Sequence, residues 1–180
     1  MTAPLGPPHL VLVGLPGSGK STVGPLLANA LGAPFLDLDA EIERRHGLTI
    51  PQIFLQRGET LFRAMEHALT RELATKPGMV LSPGGGWMVS EANVALLRPP
   101  ARIIHLEVSV PTALTRLGSG IERRPLLAGP AAKARLEALS AARTPLYSSA
   151  DAAINTETLT PQEVATFGLR LASAWGWPIG

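Results

Sequence analysis

The segment that most constrains the fold is residues 14–21, Gly-Leu-Pro-Gly-Ser-Gly-Lys-Ser, which fits the phosphate-binding P-loop pattern G-x-x-x-x-G-K-[S/T]. The apolar residues 9–13 before it predict a short buried strand, and the residues after it, as far as Leu31, predict a helix. This strand–loop–helix order is the context that the pattern requires. The sequence therefore predicts a nucleotide-binding protein built on a P-loop.

Backbone groups account for much of the predicted phosphate binding. The glycines allow a tight turn whose N–H groups face inward, and the helix N-terminus behind the loop adds a partial positive charge. Lys20 is placed to reach the β- and γ-phosphates of a nucleotide, and the Ser21 hydroxyl to ligate Mg²⁺. The expected nucleotide contacts in this loop are Gly17, Ser18, Gly19, Lys20, Ser21 and Thr22.

Composition narrows the class of protein. The chain has 180 residues, enough for one domain with a substantial core, and a formal net charge of +2. Its basic residues form no run longer than two, and no apolar run approaches the length of a membrane span, so neither a nucleic-acid nor a membrane partner is expected. The sequence contains no cysteine, which excludes disulfides and thiolate sites.

The first eight residues are rich in proline and lack the charged and apolar regions of a signal peptide. We expect a disordered tail over residues 1–8, a single domain over residues 9–180 and a cytoplasmic location.

Short apolar segments beginning near residues 9, 34, 79, 102 and 152 alternate with helical segments. This order predicts an α/β fold with three layers, in which helices cover both faces of a five-stranded parallel sheet. Ligands of such sheets bind at the carboxyl ends of the strands. Because the P-loop, the pair Asp37 and Asp39, and the glycines 84–86 all follow predicted strands, we expect them to converge on one site.

Two later segments have distinctive patterns. In the helix predicted over residues 59–75, Leu61, Met65, Leu69 and Leu73 recur every four residues and predict a buried stripe. Residues 118–130 are polar and interrupted by glycine and proline, which predicts a mobile loop and a candidate lid.

The P-loop classes differ in the residues that read the base. A GTPase needs an Asn-Lys-x-Asp sequence, but none of the three lysines, Lys20, Lys76 and Lys133, follows an asparagine. A chain this short with an internal lid candidate is typical of kinases that act on small metabolites or nucleotides.

From about residue 9 to residue 170 the chain resembles the shikimate kinases. Besides the P-loop, five segments carry the resemblance: Phe35-Leu-Asp-Leu-Asp39, Gly58-Glu59 with Phe62-Arg63, Leu81-Ser-Pro-Gly-Gly-Gly86, Arg124-Pro-Leu-Leu127 and Arg143-Thr-Pro-Leu-Tyr147. The resemblance implies a monomeric protein with a P-loop NTPase fold. It also implies an activity, the transfer of the γ-phosphate of ATP to the 3-hydroxyl of shikimate. That reaction is a step towards chorismate and the aromatic amino acids.

The resemblance also implies roles in a substrate region of about residues 39–66 and beyond. It assigns the shikimate carboxylate to Arg63 and Arg143, since planar guanidinium groups bind carboxylates bidentately. It assigns the hydroxyls to Asp39 and to the backbone of Gly84, Gly85 and Gly86. Asp39 would orient the attacking hydroxyl and accept its proton. Taken alone, Asp39 could instead cap the following helix.

On the nucleotide side, the resemblance places Asp37 beside Ser21 to hold Mg²⁺ through water. Arg124, on the lid over residues 118–130, would close over the γ-phosphate, and Arg116 would lie against the adenine beside residues 156–161. Glu66, one helical turn beyond Arg63, would brace that arginine. The expected catalytic residues are Lys20, Asp39 and Arg124.

Two other functions fit parts of the pattern. Another small P-loop kinase, such as a gluconate kinase, also binds a hydroxy acid. A ligand-sensing module on a kinase scaffold would have lost Lys20, Asp39 or Arg124, and all three are present. The sequence departs from the family at Trp87, which follows the triple glycine and from there could narrow the substrate pocket. Position 64 is alanine where a second arginine is frequent, and the adenine-side segment lacks an arginine that some members carry.

Overall fold

Residues 6–178, which the computed structural model describes, contain one five-stranded sheet in the order β2-β3-β1-β4-β5. All neighbouring strands are parallel. The strands are β1 Leu10–Val13, β2 Phe35–Asp37, β3 Val80–Ser82, β4 Arg102–Glu107 and β5 Ala152–Asn155. The three-layer α/β fold with a five-stranded parallel sheet is thus confirmed.

Seven α-helices lie between or after the strands in this described part of the chain. They are α1 Lys20–Leu31, α2 Leu38–His46, α3 Ile50–Leu73, α4 Glu91–Leu97, α5 Val110–Leu117, α6 Ala132–Tyr147 and α7 Pro161–Ala174. Two 3₁₀ segments, Trp87–Val89 and Gly118–Arg123, follow the triple glycine and α5. No helix within residues 6–178 is both long enough and apolar enough to span a bilayer.

The core has two parts, one on each face of the sheet, because successive side chains of a strand point to opposite faces. In β1, Leu10 and Leu12 pack with residues of α1 and α7. Val11 and Val13 pack on the other face with residues of α2, α3 and α6. This burial on both faces explains why β1 is apolar throughout. Because β1 is the central strand and the P-loop follows it, the P-loop lies at the carboxyl end of the middle of the sheet.

The start of α2 differs from the sequence expectation. The helix begins at Leu38 and its cap is Asp37, whose Oδ1 accepts a hydrogen bond of 3.1 Å from the backbone N–H of Ala40. The alternative that Asp39 caps this helix is therefore wrong. Because Asp39 lies within the first turn, its side chain is left for another role.

Helix α3 bends at Gly58, where φ is 78° and ψ is 164°, so two helical arms meet at this residue. The predicted stripe is only partly correct: Leu69 and Leu73 are buried, but Leu61 is 41% exposed. Residues four apart on an α-helix are offset by about 40° around the axis, so a stripe of this spacing drifts away from the core over four members. In the arm of α3 that follows Gly58, the buried residues are Phe62, Glu66, Leu69, Thr70 and Leu73.

We predicted a disordered tail over residues 1–8. Residues 1–5 of this tail lie outside the described part of the chain, and residues 6–8 lie within it. Pro7 and Pro8 lie against Gly78, where a side chain would collide with the carbonyl group of Pro7.

Candidate active site

The site predicted from sequence forms one continuous region at the carboxyl ends of the strands. A cleft of about 900 Å³ is lined by residues 17–22, Asp37, Arg116 and Thr156. A smaller pocket beside it is lined by Arg63, Gly86 and Arg143. Asp39, Gly84, Gly85 and Arg124 line both. Every residue that we expected to act in catalysis, or to bind nucleotide, substrate or metal directly, therefore lines one of these two cavities.

The P-loop wraps around the N-terminus of α1. Gly17 and Gly19 have φ values of 84° and 98°, which side chains disfavour, so glycine suits both positions. The Lys20 Nζ donates hydrogen bonds to the carbonyl oxygens of Gly14, at 2.7 Å, and Leu15, at 3.0 Å. The ammonium group thus lies folded over the loop at the floor of the large cleft.

Burial and the charges of neighbouring side chains both act on the pKa of Lys20. Burial is the main effect that lowers its pKa to about 7, and the positive charge of Arg124 acts in the same direction. Asp39 and Asp37 oppose this shift. An anionic phosphate beside the ammonium group would favour its charged form, so the charge of this lysine is coupled to nucleotide binding.

Ser21 and Asp37 form a pair at the edge of the cleft, where the Ser21 hydroxyl donates a 2.8 Å hydrogen bond to Asp37 Oδ2. A hydroxyl and a carboxylate are oxygen donors of the kind that Mg²⁺ prefers. Within residues 6–178 no group of three or more histidine or acidic side chains is arranged to hold a metal ion. The pair fits a Mg²⁺ ion that keeps water and phosphate oxygens as its other ligands.

Asp39 is half-buried at the junction of the two cavities, and its Oδ1 atom is buried. Its Oδ1 has no hydrogen-bond partner among the described residues. Burial, and then the negative charge of Asp37, raise the pKa of Asp39 to about 6, while Lys20 and Arg124 oppose the increase. A buried carboxylate oxygen without a partner can accept a hydrogen bond from a ligand in the smaller pocket.

Each glycine of the triple-glycine loop faces a different functional side chain. A Cβ on Gly84 would lie 2.8 Å from Asp39 Oδ1, and one on Gly85 would lie 2.6 Å from Arg143 Nη1. A Cβ on Gly86 would lie 2.6 Å from Arg63 Nη2. The absence of side chains therefore allows the aspartate and both arginines to approach the loop backbone closely.

Arg63 is held between two carboxylates on α3. Its Nη2 lies 3.1 Å from Glu59 Oε1, and its Nη1 lies 3.1 Å from Glu66 Oε2. Glu66 is fully buried, and its other oxygen, Oε1, has no partner within residues 6–178. Burial raises the pKa of Glu66 to about 7 against the opposing charge of Arg63. The geometry matches the expected bracing of Arg63.

Arg143 is brought into the pocket by α6, where it is 5% exposed. One turn later, the Tyr147 hydroxyl approaches the carbonyl oxygen of Gly85 at 3.5 Å. The Tyr147 ring stacks on His105 with a centroid separation of 4.5 Å, and burial raises the pKa of Tyr147 and lowers that of His105. Tyr147 is thus held between His105 and the backbone of Gly85, one turn after Arg143, and no sequence motif marked His105.

The far end of the cleft is fixed by Arg116. Its Nη1 donates to Thr156 Oγ1 at 3.0 Å and its Nη2 to the Thr156 carbonyl at 2.6 Å. Glu157 accepts hydrogen bonds from the backbone N–H of Ser109, at 3.0 Å, and from the Thr112 hydroxyl. These bonds tie residues 156–161 to α5 and form one wall of the cleft.

Trp87 does not narrow the substrate pocket, contrary to the expectation. It lines neither cavity, is 1% exposed, and its Nε1 donates a 3.0 Å hydrogen bond to Thr70 Oγ1 on α3. The indole packs into the core because the 3₁₀ turn that starts at Trp87 directs it away from the cavity.

The lid candidate begins with the 3₁₀ segment Gly118–Arg123 and continues through Arg124, whose side chain is exposed. Leu127 is 1% exposed and lines the smaller pocket. Ile50, in the expected substrate region, and Arg123, in the expected lid, were given no individual role, yet both line both cavities. The adjacency of Arg123 to Arg124 is the sequence signal for Arg123, and no motif singled out Ile50.

A P-loop that faces an arginine-lined acceptor pocket across one half-buried aspartate, Asp39, defines a P-loop kinase for a small anionic acceptor. A family model for shikimate kinase matches residues 16–171. A shikimate kinase from Thermobifida fusca is 45% identical over 160 residues, which cover 88% of this chain and 91% of that protein. A shikimate kinase from Xanthomonas campestris pv. campestris is 39% identical over 170 residues, which cover 93% of this chain and 94% of that protein. The chain therefore belongs to the shikimate kinase family, whose members are ATP-dependent kinases.

Solved structures agree with this assignment. The shikimate kinase of Acinetobacter baumannii in complex with shikimate has a TM-score of 0.89 and 36% sequence identity, with 96% of each chain covered. A gluconokinase from Sinorhizobium meliloti covers 93% of this chain with a TM-score of 0.57 and 21% identity. The second likeness concerns the fold alone.

Proposed function

We propose that this protein transfers the γ-phosphate of ATP to the 3-hydroxyl of shikimate and releases ADP and shikimate 3-phosphate. The observation that carries the proposal is the position of Asp39. Its unpartnered Oδ1 lies where the P-loop cleft meets the pocket of Arg63 and Arg143. A hydroxyl that receives the γ-phosphate must lie between the nucleotide cleft and the acceptor pocket, which is where Asp39 is placed.

The smaller pocket would hold shikimate by its carboxylate. Arg63 and Arg143 offer two guanidinium groups there, and charge-assisted bonds to a carboxylate are among the strongest in proteins. Gly84, Gly85 and Gly86 would present backbone groups to the hydroxyls, because their lack of side chains lets a ligand reach the backbone as the arginines do.

Asp39 would act on the acceptor. Its Oδ1 would accept a hydrogen bond from the 3-hydroxyl and orient that oxygen towards the γ-phosphorus. As the new O–P bond forms and the bond to the β-phosphate breaks, the hydroxyl proton would pass to Asp39. The elevated pKa of about 6 makes this carboxylate a better proton acceptor than an ordinary aspartate.

The P-loop backbone, Lys20 and Arg124 would bind the phosphates and stabilise the charge on the transferred group. Ser21 and Asp37 would hold a Mg²⁺ ion, which would neutralise part of the phosphate charge. Arg116 and residues 156–161 would border the adenine, since two hydrogen bonds hold Arg116 against Thr156 and both residues line the cleft.

We further propose a monomer in the cytoplasm, without a nucleic-acid or membrane partner. One chain supplies all the side chains that line both cavities, so a second copy is not required to complete the site. The cytoplasm supplies ATP, and a net charge of +2 is small for a surface that binds nucleic acid.

A coupled assay of ADP release tests the function directly, with shikimate, gluconate and nucleoside monophosphates offered in parallel. We expect turnover that requires shikimate and Mg²⁺, and the Lys20→Ala variant serves as the inactive control. Turnover of gluconate without turnover of shikimate would overturn the substrate assignment. Binding of ATP and shikimate without ADP release would instead favour a ligand-sensing module.

A further inference from the structure

The one side chain that joins the triple-glycine loop to α3 by a hydrogen bond is the indole of Trp87, as far as the described residues extend. It follows Gly86 directly, and its Nε1 lies 3.0 Å from Thr70 Oγ1. Both residues are buried, Trp87 with 1% and Thr70 with 0% exposure. A hydrogen bond in such a dry environment fixes the loop relative to the helix.

Thr70 carries this connection towards the substrate pocket. Its hydroxyl donates a 2.8 Å hydrogen bond to the backbone carbonyl of Glu66, one turn earlier on α3. Glu66 in turn pairs with Arg63. The indole is therefore tied to the helical turn that places the carboxylate-binding arginine.

Gly86, the loop residue that precedes Trp87, is itself close to Arg63. The Cβ that Gly86 lacks would lie only 2.6 Å from Arg63 Nη2, so the loop and the guanidinium are in direct contact. Because Gly86 and Trp87 are adjacent, a displacement of the indole moves Gly86 relative to Arg63. The backbone hydrogen bonds of Trp87, from its N–H to Gly84 and from Ser90 to its carbonyl, remain within the segment and do not reach α3.

We propose that Trp87 is a positioning residue for the acceptor: its bond to Thr70 sets the separation between the triple-glycine loop and Arg63, and thereby the affinity for shikimate. This proposal rests on the proposed binding of shikimate by Arg63 and the loop. The indole does not line the nucleotide cleft, and Gly86, the loop residue next to it, lines only the smaller pocket, so we expect the main effect on the acceptor.

The Trp87→Phe variant tests the hydrogen bond while it keeps a buried aromatic ring. We expect the KM for shikimate to rise roughly three- to ten-fold, the range of one buried hydrogen bond, with the KM for ATP unchanged. Thr70→Val removes the acceptor and should give the same increase. Thr70→Ser keeps the hydroxyl and should restore most of the affinity. The double variant Trp87→Phe/Thr70→Val should be no worse than either single variant.

Trp177→Phe is the matched control. Trp177 is also buried, at 4% exposure, and its Nε1 has no hydrogen-bond partner among residues 6–178. It packs in the core cluster on the opposite face of the sheet. The same loss of an indole N–H should therefore leave both KM values unchanged, and thermal unfolding of all variants separates positioning from general stability.

A second readout does not depend on turnover. The chain contains three tryptophans, so the variant with Trp175→Phe and Trp177→Phe retains Trp87 alone. We expect its fluorescence to change on titration with shikimate and not with ATP. An unchanged shikimate KM in folded Trp87→Phe and Thr70→Val, or equal increases in the KM for shikimate and ATP, would overturn the proposal. Wild-type enzyme without shikimate turnover would contradict the proposed function instead.

Discussion

The Nη1 of Arg63 lies 3.1 Å from Oε2 of Glu66, while the other oxygen of Glu66 is buried without a partner among residues 6–178. A buried carboxylate that is only half satisfied costs free energy, and burial accordingly raises its pKa to about 7. The pair therefore holds Arg63, the arginine that we propose binds the shikimate carboxylate, in place at the expense of stability near neutral pH.

The Glu66→Gln variant should reveal this cost as a change in pH dependence. The folded chain holds the Glu66 proton more tightly than the unfolded chain, in which the pKa of this glutamate is near its ordinary value of 4.5. Its contribution to stability is therefore fully present at low pH and is lost as the pH rises from about 4.5 to about 7. Thermal unfolding from pH 4 to pH 8 should show a smaller decline in Glu66→Gln than in the wild type.

The exposed Glu122→Gln substitution is the control for that experiment, and it should retain the wild-type decline. Glu66→Gln should also weaken shikimate binding, since a neutral amide orients the Arg63 guanidinium less strongly. Parallel stability curves for the wild type and Glu66→Gln would show that the pKa of this carboxyl group is ordinary.

Asp39→Asn should nearly abolish turnover while ATP still binds, because an amide cannot accept the hydroxyl proton and the residue faces the acceptor. Fluorescence or calorimetric titration with an ATP analogue would measure the binding, and the coupled assay the turnover. Lys20→Ala provides the contrast, because it should impair ATP binding as well. Near-normal turnover in Asp39→Asn would exclude Asp39 as the proton acceptor.

The pH profile of kcat/KM for shikimate reports the same group. Asp39 must be ionised to accept a proton, so the rate should fall as the pH drops through about 6, the raised pKa of Asp39. An ordinary aspartate would keep the rate constant down to about pH 4. The step should persist in Glu66→Gln, which separates it from titration of Glu66. A flat profile from pH 8 to pH 5 would contradict this assignment.

The central part of this fold follows from local sequence signals. The P-loop pattern and the alternation of apolar and helical segments depend on neighbours along the chain, so the sheet and the nucleotide loop could be predicted. Asp37 and Asp39 were both expected at the end of β2, but which of them caps α2 depends on where the first helical turn begins. That start is fixed by contacts that the local pattern does not record.

Trp87 illustrates why the rest could not be predicted. Its direction is decided by the 3₁₀ turn after Gly86 and by a hydroxyl on α3, seventeen residues earlier in the chain. Leu61 is similar, since its exposure reflects the accumulated drift of a four-residue spacing around the helix. The direction of Trp87 depends on tertiary geometry, whereas the exposure of Leu61 depends on which part of the drifting stripe faces the core.

Arg143→Ala should chiefly weaken shikimate binding. It removes one guanidinium from a buried carboxylate site, and hydrogen bonds to charged groups contribute about 1.5–3 kcal/mol. The expected loss of affinity is roughly ten- to a hundred-fold. Arg143→Lys should restore little, because an ammonium group lacks the planar pair of donors. Calorimetry with shikimate measures the affinity, and an unchanged value in Arg143→Ala would place this residue outside the site.

Residues 118–130 should form a lid that becomes ordered when nucleotide and shikimate bind together. Glycines at its two ends, Gly118 with φ of 48° and Gly129 with φ of 96°, give the backbone the freedom to act as hinges. Arg124 lies between them and lines both cavities, so closure would bring its charge to the transferred phosphate and exclude water. Hydrogen exchange across this segment should therefore slow when an ATP analogue and shikimate are both present.

Arg124→Ala tests the same lid by kinetics. Because the arginine would contact the phosphate mainly in the closed, reacting state, kcat should fall roughly 10²- to 10³-fold while ATP binding weakens far less. The exposed Arg170→Ala, whose guanidinium lies over the Phe167 ring, removes an arginine that lines neither cavity and should leave kcat unchanged. Normal kcat in Arg124→Ala, or equal exchange protection with and without ligands, would identify residues 118–130 as a static loop. A fall in kcat together with ligand-dependent protection would establish that closure supplies the charge of Arg124 at the moment of transfer.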